Sequence, residues 1–339
     1  MAYRVVVVGG GAAGMQTALE LKSRGIEPII VERDIELGGK ARGWHKLFPT
    51  FTPAGDILRP LAQRIKEERI RCFYGQEVIS VASDGVMLRS EERIPADAVV
   101  LATGFTLFDA HRKQEYGYGL YDNVITSVDL ERMMNAGGVT LADGSEPKRI
   151  AILHCVGSRD EKVCQRHCSK VCCITGVKQA IELKRMFPAA DIFNFYMDIR
   201  MFGPGYEELY REAQQTYNIH FVRGRISEAA ETINKRIQIK AEDTLTGRPL
   251  RMTVDMLVLL VGMSANYENP AMAKASGLSL APNGYFQSRD TFLGVVHSEQ
   301  EGIFYAGTVT SPKSLADTLA EASLTASAVD SYLKSKFNG

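Results

Sequence analysis

The sequence predicts an α/β protein in which one strand–helix unit is inserted into a second, discontinuous unit. Three observations lead to this fold class. The chain begins with a short apolar strand, a glycine-rich turn and an amphipathic helix. A second apolar strand, KRIAILHCVG, starts another alternation of strands and helices, and the final segment GIFYAGTVTSPKSLADTLAEA gives one more strand and helix. Such alternation is typical of parallel sheets. We therefore predict a discontinuous domain of residues 1–111 and 269–339, with residues 112–268 forming the inserted domain.

Composition and charge exclude several classes of protein. Of the 339 residues, 45% are apolar and 24% are charged, and 40 basic side chains balance 40 acidic ones. A balanced chain has no overall field that favours nucleic acid or an anionic membrane surface. The apolar N-terminal run is interpreted as a core strand rather than a signal peptide, and no run approaches the roughly 20 apolar residues that span a bilayer. We expect a cytoplasmic chain with reduced thiols that binds no nucleic acid and has no membrane span.

The clearest motif lies at the start of the chain. After the strand Tyr3 to Val8, Gly9, Gly11 and Gly14 form G-x-G-x-x-G at the entrance to the first helix, and Glu32 ends the next strand, PIIVE. Glycines let the backbone approach a pyrophosphate, the helix N-terminus supplies N–H donors, and an acid at this spacing bonds a ribose hydroxyl. This order of elements predicts a dinucleotide site, and the alternative is a tight turn without a ligand.

Further features indicate FAD as the dinucleotide. Gly38 and Gly39 follow the second strand, a hairpin with an Asp84-Gly85 turn leads to the strand ADAVVLATG, and Gly307 follows the last strand. This set resembles the FAD domains of the two-dinucleotide-binding-domain flavoproteins, such as thioredoxin reductase and its relatives. In that family the first and last segments of the chain together build one FAD site. The resemblance implies a discontinuous FAD domain with an inserted second Rossmann-like domain.

The same resemblance implies where the flavin contacts lie. In the family a Gly-Asp pair commonly stands where this chain has Gly307-Thr308, so we expect altered flavin electrostatics rather than loss of flavin. The helix from about Ser314 is expected to point at the flavin, where a helix N-terminus stabilises the reduced anion by up to about 2 kcal/mol. Lys313 is either a cation that tunes the flavin or a solvated lysine, and no residue has a certain catalytic role. The residues expected to bind FAD are Gly9, Gly11, Ala13, Gly14, Glu32, Arg33, Gly39, Lys40, Arg42, Thr103, Gly104, Gly307, Thr308, Lys313 and Ser314.

The inserted unit lacks a second glycine motif. In reductases that accept NADPH, the first strand of this domain runs into another G-x-G-x-x-G, whereas here it runs into HCVGSRDEKVCQRHCSKVCC, residues 154–173. Charged residues and thiols stand where a pyrophosphate would have to lie. The sequence therefore predicts no nicotinamide site at this position, so that a partner must supply or accept the electrons.

Five of the six cysteines fall in this stretch, and their spacing has three interpretations. A redox disulfide between Cys168 and Cys173 has suitable spacing but leaves other thiols without a role, and adjacent Cys172 and Cys173 would close a strained ring. A structural zinc site needs a second pair of closely spaced cysteines, or His154 and His167. An iron–sulfur cluster takes four thiolates, and adjacent cysteines can reach different irons. The spacing favours the iron–sulfur cluster.

The motifs of this stretch closely resemble one family. C-V-G-S-R-D followed by C-S-K-V-C-C, in a flavoprotein of this layout, resembles the A subunit of heterodisulfide reductase, and AGTVTSPKSLADTLAEA resembles its Gly-Thr, Pro-Lys and Asp-Thr pattern. The resemblance covers essentially the whole chain. It implies a [4Fe-4S] cluster bound by Cys155, Cys168, Cys172 and Cys173, with Cys164 outside the pattern as a free thiol.

Two departures point to a compact member of this family. Methanogen subunits typically carry a cysteine motif after Phe-Pro-Thr and extra ferredoxin modules, whereas this chain has LFPTFTPAGDILRPL and no C-x2-C-x2-C-x3-C-P. It resembles the Hdr-like form of sulfur-oxidising systems. The resemblance implies a homodimeric electron-transfer subunit, with FAD and a [4Fe-4S] cluster, that works with other subunits. The alternatives are a stand-alone FAD-dependent NAD(P)H or disulfide oxidoreductase using Cys172 or Cys173, and a scaffold in which flavin and metal are structural.

Overall fold

The computed structural model describes residues 3–337, and their contacts divide the chain into two units. The first unit contains the chain up to Arg42, Ala54–Thr106 and the chain from Ser264. The second unit contains Gly43–Pro53 and Leu107–Met263. Each unit is built around its own parallel sheet, as described below.

The observed units differ from the predicted domain boundaries mainly in one short segment. The two predicted domain boundaries, after residues 111 and 268, each lie five residues beyond the observed boundary. The segment Gly43–Pro53 was expected in the first domain and lies with the second. His45 accounts for this placement, because its backbone N–H donates to Glu131 (2.7 Å) and its ring bonds Glu182 (2.9 Å). No local sequence pattern indicates these contacts, since their partners are 86 and 137 residues away.

The described chain alternates between helices and strands. Its helices are α1 (Ala12–Ser23), α2 (Ala54–Glu67), α3 (Ser127–Asn135), α4 (Cys172–Met186), α5 (Tyr206–Gln215), α6 (Asn269–Ser276) and α7 (Leu315–Phe337). Its strands are β1 (Arg4–Val8), β2 (Glu27–Val31), β3 (Lys46–Leu47), β4 (Thr52–Pro53), β5 (Arg71–Phe73), β6 (Val78–Ala82), β7 (Gly85–Leu88), β8 (Arg93–Pro95), β9 (Ala98–Leu101), β10 (Phe105–Leu107), β11 (Val124–Thr126), β12 (Arg149–Val156), β13 (Asp191–Tyr196), β14 (His220–Arg223), β15 (Ile226–Glu231), β16 (Ile237–Asp243), β17 (Arg248–Val254), β18 (Met256–Val261), β19 (Met263–Ala265) and β20 (Ile303–Tyr305). Among the helices of residues 3–337, none is long and apolar enough to cross a membrane.

A five-stranded parallel sheet forms the centre of the first unit. Its strand order is β20-β9-β1-β2-β5, and β1 pairs in register with both β2 and β9. The strands are short runs rich in Val and Ile and almost wholly buried, as expected for a parallel sheet covered on both faces. The predicted Asp84-Gly85 hairpin joins β6 to β7 in a separate antiparallel sheet with β8. Because β1, β2, β9 and β20 run parallel, the residues that follow them meet at one edge of the sheet.

The second unit repeats this plan around a different sheet. Its parallel strand order is β11-β18-β12-β13-β14, and an antiparallel sheet of β15, β16 and β17 completes the unit. Apolar residues of α3, α4 and α5 pack with the parallel strands in one buried cluster. The central strand, β12, is irregular near its end, because its register with β18 shifts between Leu153 and Val156. The cysteine stretch begins at this irregularity.

Candidate functional site

The glycine-rich turn of the first unit connects β1 to α1. Gly9 has φ +106°, and a methyl group there would overlap the carbonyl of Ala102. A methyl group on Gly14 would overlap the carbonyl oxygen of Gly9. Within the described residues, no side chain caps α1 and its first turn contains no acid. A helix N-terminus of this kind, approached by a bare backbone, favours an anionic group such as a pyrophosphate.

The acid predicted to bind ribose lies beside this turn. Glu32 is 6% exposed, and its carboxylate accepts hydrogen bonds from the backbone N–H groups of Gly10 and Asp34. These bonds hold the side chain at the end of β2, and a carboxylate retains further lone pairs for a hydroxyl donor. Its neighbour Arg33 pairs with Glu268 (3.0 Å) at the surface of the same unit.

The second glycine loop, residues 38–42, packs against the first. The backbone N–H of Gly38 donates to the carbonyl of Gly10 (2.8 Å), and a methyl group on Gly39 would lie 3.1 Å from Gly11. Lys40 lies over the ring of Phe105 (5.4 Å), and burial lowers its pKa. The loop also ends in a surface ion pair between Arg42 and Glu36 (3.1 Å). The two glycine loops therefore form one continuous backbone surface.

The other predicted flavin residues follow β9 and β20. Within the described chain, the buried hydroxyl of Thr103 has no hydrogen-bond partner. Gly307 has φ +74°, and a methyl group on it would lie 2.7 Å from Ala13 in the first turn of α1. Thr308 lies next to Gly104, at 3.7 Å from the position of a methyl group there. An unsatisfied buried hydroxyl beside glycine loops fits a bound polar cofactor.

Lys313 is held by its own loop. Its ammonium donates to the carbonyl of Gly307 (2.9 Å) and to the hydroxyl of Thr310 (2.7 Å), and it pairs with Glu321 (3.4 Å). Glu321 in turn accepts from the Gly307 N–H (3.0 Å), and burial raises the pKa of its carboxyl group. The interpretation as a solvated lysine is wrong, because the Lys313 side chain is 11% exposed. Sequence reasoning missed Glu321, which shares no motif with the loop.

Ser314 forms the N-terminal cap of α7. Its hydroxyl accepts from the backbone N–H of Asp317 (3.1 Å), and the Asp317 carboxylate accepts from the Ser314 N–H (3.4 Å). Such a reciprocal arrangement stabilises a helix start by about 1 kcal/mol. The helix therefore begins within one residue of the predicted position.

Four thiols converge in the second unit. Cys155 lies within the irregularity of β12 and has φ +61°, while Cys172 and Cys173 are the first residues of α4. The Cys172 thiol lies within hydrogen-bonding reach of the sulfurs of Cys155, Cys168 and Cys173. All the cysteines of residues 3–337 are free thiols, and Cys164 lies exposed and outside the group. These are the four residues that the sequence assigned to a cluster.

The four thiols differ in their pKa values. A hydrogen bond with Cys172 lowers the pKa of Cys173 to about 4, with a further contribution from His154. The same partner lowers the pKa of Cys168 to about 6, helped by the Lys170 backbone N–H, which donates to its sulfur at 3.3 Å. Hydrogen bonds with its three neighbours raise the pKa of Cys172. Thiolates are the form that binds metal, so this donor set suits an iron–sulfur cluster.

The loop between β12 and α4 has an unusual backbone. Of nine described non-glycine residues with positive φ, four lie in this stretch: Cys155, Arg159, Cys164 and Lys170. A methyl group on Gly157 would overlap the ring of Phe108, so this glycine makes room for a side chain of its own unit. Strained conformations of this kind concentrate at functional sites.

The loop is also closed by its own hydrogen bonds. The hydroxyls of Ser158 and Ser169, both fully buried, bond each other, and Ser169 accepts from the Met263 N–H (2.8 Å). Nε2 of His167 lies 2.8 Å from the Met263 carbonyl oxygen. The space after β12 is thus filled by side chains of the loop.

Two interpretations of the cysteine stretch lose support. In residues 3–337, no group of three or more His, Cys, Asp and Glu side chains is arranged to hold a single metal ion. Over these residues the structure therefore shows neither a zinc site nor a cluster site; a cubane would differ from zinc in spreading its four thiolates over four irons. No described cysteine is disulfide-bonded, so the redox disulfide has no direct support either.

A buried ionic network lies further along α4. Lys178, 2% exposed, pairs with Glu131 of α3 and with Glu182 (2.9 Å). Gln179 donates to Glu131 (2.7 Å), and His45 completes the network. Sequence reasoning missed this network, because Lys178 and Glu182 resemble a solvated face when α4 is considered alone.

Fold and site together define a class, the two-domain flavin-dependent oxidoreductases. Within it, the chain belongs to the pyridine nucleotide-disulphide oxidoreductase family, whose model matches residues 3–327. Membership of this family implies FAD. The thioredoxin reductases of T. acidophilum (TM-score 0.67, 18% identity, 97% of this chain and 98% of that one) and Lactococcus lactis (0.69, 16%, 98% and 99%) share its fold.

The curated relatives to which the chain is similar are heterodisulfide reductase subunits. The chain is 39% identical to the A subunit of the H(2)/formate:CoB-CoM heterodisulfide,ferredoxin reductase of Methanococcus maripaludis. It is 32% identical to the iron-sulfur A subunit of the CoB–CoM heterodisulfide reductase of Methanocaldococcus jannaschii. Both comparisons cover 96% of this chain and 63% of the relative, so the chain spans less than two thirds of the length of these proteins. The predicted fold class, oxidoreductase class and resemblance to the A subunit of heterodisulfide reductase are confirmed.

Proposed function

We propose that the chain is an FAD- and [4Fe-4S]-containing electron-transfer subunit of a heterodisulfide-reductase-like complex that takes part in sulfur oxidation. The observation that supports this most is the convergence of three thiols on Cys172 at the start of α4. In the sequence, this stretch stands where related reductases have their second glycine motif. One relative is itself named as an iron-sulfur protein of heterodisulfide reductase.

The chain's residues have two binding tasks in this proposal. The glycine loops of the first unit would bind FAD through backbone groups, with the Glu32 carboxylate available to a ribose hydroxyl and the unpaired Thr103 hydroxyl available to a polar group of the cofactor. Cys155, Cys168, Cys172 and Cys173 bind the cluster as thiolates. FAD supplies two-electron chemistry and the cluster supplies one-electron transfer, while the protein tunes both potentials through burial, hydrogen bonds and charge.

Electrons then enter or leave through partner subunits rather than through a nicotinamide. The support is steric, because Phe108 fills the space beside Gly157 and the paired hydroxyls of Ser158 and Ser169 close the loop. A pyrophosphate needs a bare backbone at this position. The homodimer and the assembly with other subunits remain part of the proposal.

Cofactor content tests the proposal directly. Anaerobic purification should give a protein with one FAD and about four irons per chain, as a cubane cluster requires. Reduction should produce the electron paramagnetic resonance signal of a [4Fe-4S] cluster. Protein that keeps its flavin but contains no iron after anaerobic isolation would refute the cluster.

The sulfur-oxidising role needs a separate experiment. The chain, tagged and purified from cells that produce it natively, should bring partner subunits with it. With those partners present, reduced sulfur compounds should reduce its flavin. Flavin that sulfur compounds leave oxidised in the complete complex would remove sulfur oxidation and leave the cofactor assignment standing.

A stand-alone disulfide oxidoreductase is the second candidate. It is favoured by the low pKa of Cys173, since a thiolate beside a second thiol can attack a disulfide. This enzyme would accept hydride directly, so NADH or NADPH would bleach its flavin in stopped-flow measurements. Flavin that both nucleotides leave oxidised excludes it.

A further inference from the structure

A short segment after β13 covers the thiols of the second unit. Strands β12, β13 and β14 are parallel neighbours, so the residues that follow them meet at one edge of the sheet. Two methionines of the segment pack against three of the four thiols, namely Met197 and Met201 against Cys155, Cys172 and Cys173. The sulfur of Cys173 also lies 3.6 Å from the carbonyl oxygen of Asp198. Residues 197–201 therefore cover the thiols at this edge.

Three arginines meet at this segment, and we call them the arginine rim: Arg159, Arg200 and Arg223. The guanidinium group of Arg159 donates to the carboxylate of Asp198 (2.6 Å). Arg223 ends β14, and its Nε donates to the carbonyl of Met197 (3.3 Å). Arg200 belongs to the segment itself and is exposed. The rim therefore lies at the edge of the sheet where the thiols converge.

The arginine rim leaves unbalanced positive charge at the surface. Within residues 3–337, Arg159 pairs with Asp198, whereas neither Arg200 nor Arg223 takes part in an ion pair. Both of these arginines are exposed, so water screens them from the thiols and leaves them available to a molecule in solution. The chain as a whole is neutral, with 40 basic and 40 acidic side chains. The rim is therefore a local feature, and it attracts a negatively charged partner.

An exposed aromatic side chain lies next to the rim. Phe202 is 53% exposed and directly follows Met201, which packs against the thiols. Arginine and large apolar side chains together are typical of surfaces that bind proteins. A small anion such as sulfite needs the guanidinium groups but not an exposed ring. The combination therefore favours a protein with an acidic surface over a small anion.

The rim also adjoins the most accessible of the four thiols. Three of them are buried, whereas Cys168 is partly exposed. The backbone N–H of Arg159 donates to the carbonyl of His167 (3.0 Å), which directly precedes Cys168. Because electron tunnelling slows steeply with distance, a cluster bound by these thiols would exchange electrons fastest with a carrier at Cys168, beside the rim.

We propose that the arginine rim and Phe202 form the docking surface for an acidic protein that carries single electrons to or from the cluster. This inference rests on the proposed function, because it needs a cluster bound by the four thiols. When the carrier is the donor, it loses one electron and the cluster gains it, and no covalent bond forms or breaks. Attraction between opposite charges raises the rate of such encounters by roughly 10- to 1000-fold at low salt.

A plant-type [2Fe-2S] ferredoxin, which is acidic and has a low reduction potential, is the probe for this surface. Its reduced form should reduce the cluster of the anaerobic holoprotein in stopped-flow measurements, at a rate that falls as salt is added. Arg200→Glu combined with Arg223→Glu should slow this transfer by about tenfold or more at low salt.

Two exposed lysines at the opposite edge of the sheet supply the matched control. Lys148 directly precedes β12, and the carbonyl of Lys235 accepts a hydrogen bond from Asn123, which directly precedes β11. Lys148→Glu combined with Lys235→Glu makes the same change of charge and should leave the rate unaltered. Equal rates for the arginine and lysine variants would overturn the inference.

Cluster content and potential separate docking from an effect on the cluster. All these variants should keep about four irons per chain and the potential of the unchanged protein. A shifted potential that accounts for the slower transfer would overturn the inference, and so would ferredoxin that fails to reduce a cluster that reduced methyl viologen reduces. Iron-free protein contradicts the proposed cluster itself, whereas iron-loaded protein with equal rates contradicts the docking surface alone.

Phe202 distinguishes a protein partner from a small anion. Phe202→Ser should also slow the transfer from ferredoxin, because it removes the apolar contact but none of the charge. An unchanged rate in this variant would overturn docking of a protein at the rim in favour of a site for small anions.

Discussion

The glycine turn after β1 and the cysteine loop after β12 occupy the same place in two similar units. Each follows a buried parallel strand and leads to a helix N-terminus. The first turn needs only residues 9–11 and presents backbone. A side chain on Gly9 would overlap Ala102, and one on Gly14, in the first turn of α1, would overlap Gly9. The second needs residues 157–171 and presents sulfur atoms. Under the proposed function, the same topological position serves a phosphate in one unit and a metal cluster in the other, depending on whether glycines or thiol side chains follow the strand.

The supporting structure differs in the same way. The glycine turn is held by backbone contacts between two loops of one unit. The cysteine loop has positive φ at three non-glycine residues and adjoins a fourth, Cys155, at the end of β12. It also has bonded hydroxyls at Ser158 and Ser169, and a buried ionic network lies further along its helix. A loop that binds through side chains must hold each of them in one orientation. It therefore requires more tertiary contacts than a turn that binds through its backbone.

Among the substitutions that test this comparison, removal of the central thiol should have the largest effect on cofactor content. Cys172→Ser should reduce iron from about four per chain to below about one, because Cys172 contacts all three other thiols. FAD content should remain near one, since the glycine loops belong to the first unit. Iron and flavin analysis of the anaerobic protein measures both.

The exposed thiol supplies the matched control. Cys164→Ser should keep full iron, because Cys164 lies outside the group of four. Loss of iron in Cys164→Ser, with retention in Cys172→Ser, would show that the ligand set is wrong.

A methyl group on Gly14 should have the opposite result, which is weaker FAD binding with unchanged iron content. Gly14→Ala places a methyl group on the carbonyl oxygen of Gly9, and overpacking of this kind costs about 1–3 kcal/mol or more. FAD affinity should fall by roughly 10- to 100-fold while iron is retained. Equilibrium titration of flavin-free protein with FAD measures the change. Gly138→Ala, at an open position, should bind FAD as the unchanged chain does.

Loss of the buried ammonium should destabilise the second unit. Lys178→Met leaves Glu131 and Glu182 buried without a cation, which costs about 3–5 kcal/mol. The midpoint of thermal unfolding should fall by about 10 °C. Lys240→Met, which removes a surface ion pair with Glu228, should cost less than about 1 kcal/mol. Equal midpoints for the two variants would mean that the network contributes no more than a surface pair.

Removal of the Lys313 ammonium should have the smallest effect. Lys313→Met deletes a cation bonded to the Gly307 turn, and we expect the flavin potential to fall by at most about 30 mV, or 1.4 kcal/mol for two electrons. Flavin content should be unchanged. Spectroelectrochemical titration of the bound flavin measures this potential. An unaltered potential would contradict a role for Lys313 in tuning the flavin.

The sequence by itself determined the fold class and the residues of both candidate sites. The order of strand, glycine motif, helix and acid predicted the first unit. The resemblance of the cysteine motifs to the A subunit of heterodisulfide reductase indicated the four thiols that the structure brings together. These features are local, so spacing along the chain is enough to recognise them. The helix starting near Ser314 was predictable for the same reason.

Only the tertiary structure decided how these local features are supported. It placed Gly43–Pro53 in the second unit, joined Lys178 to Glu131, and set Asn194 beside His154. Each of these contacts joins residues that are far apart in the sequence and carry no motif. The physical reason is that burial changes the meaning of a polar side chain: an isolated strand or helix does not reveal whether its charge or amide faces water or a buried partner.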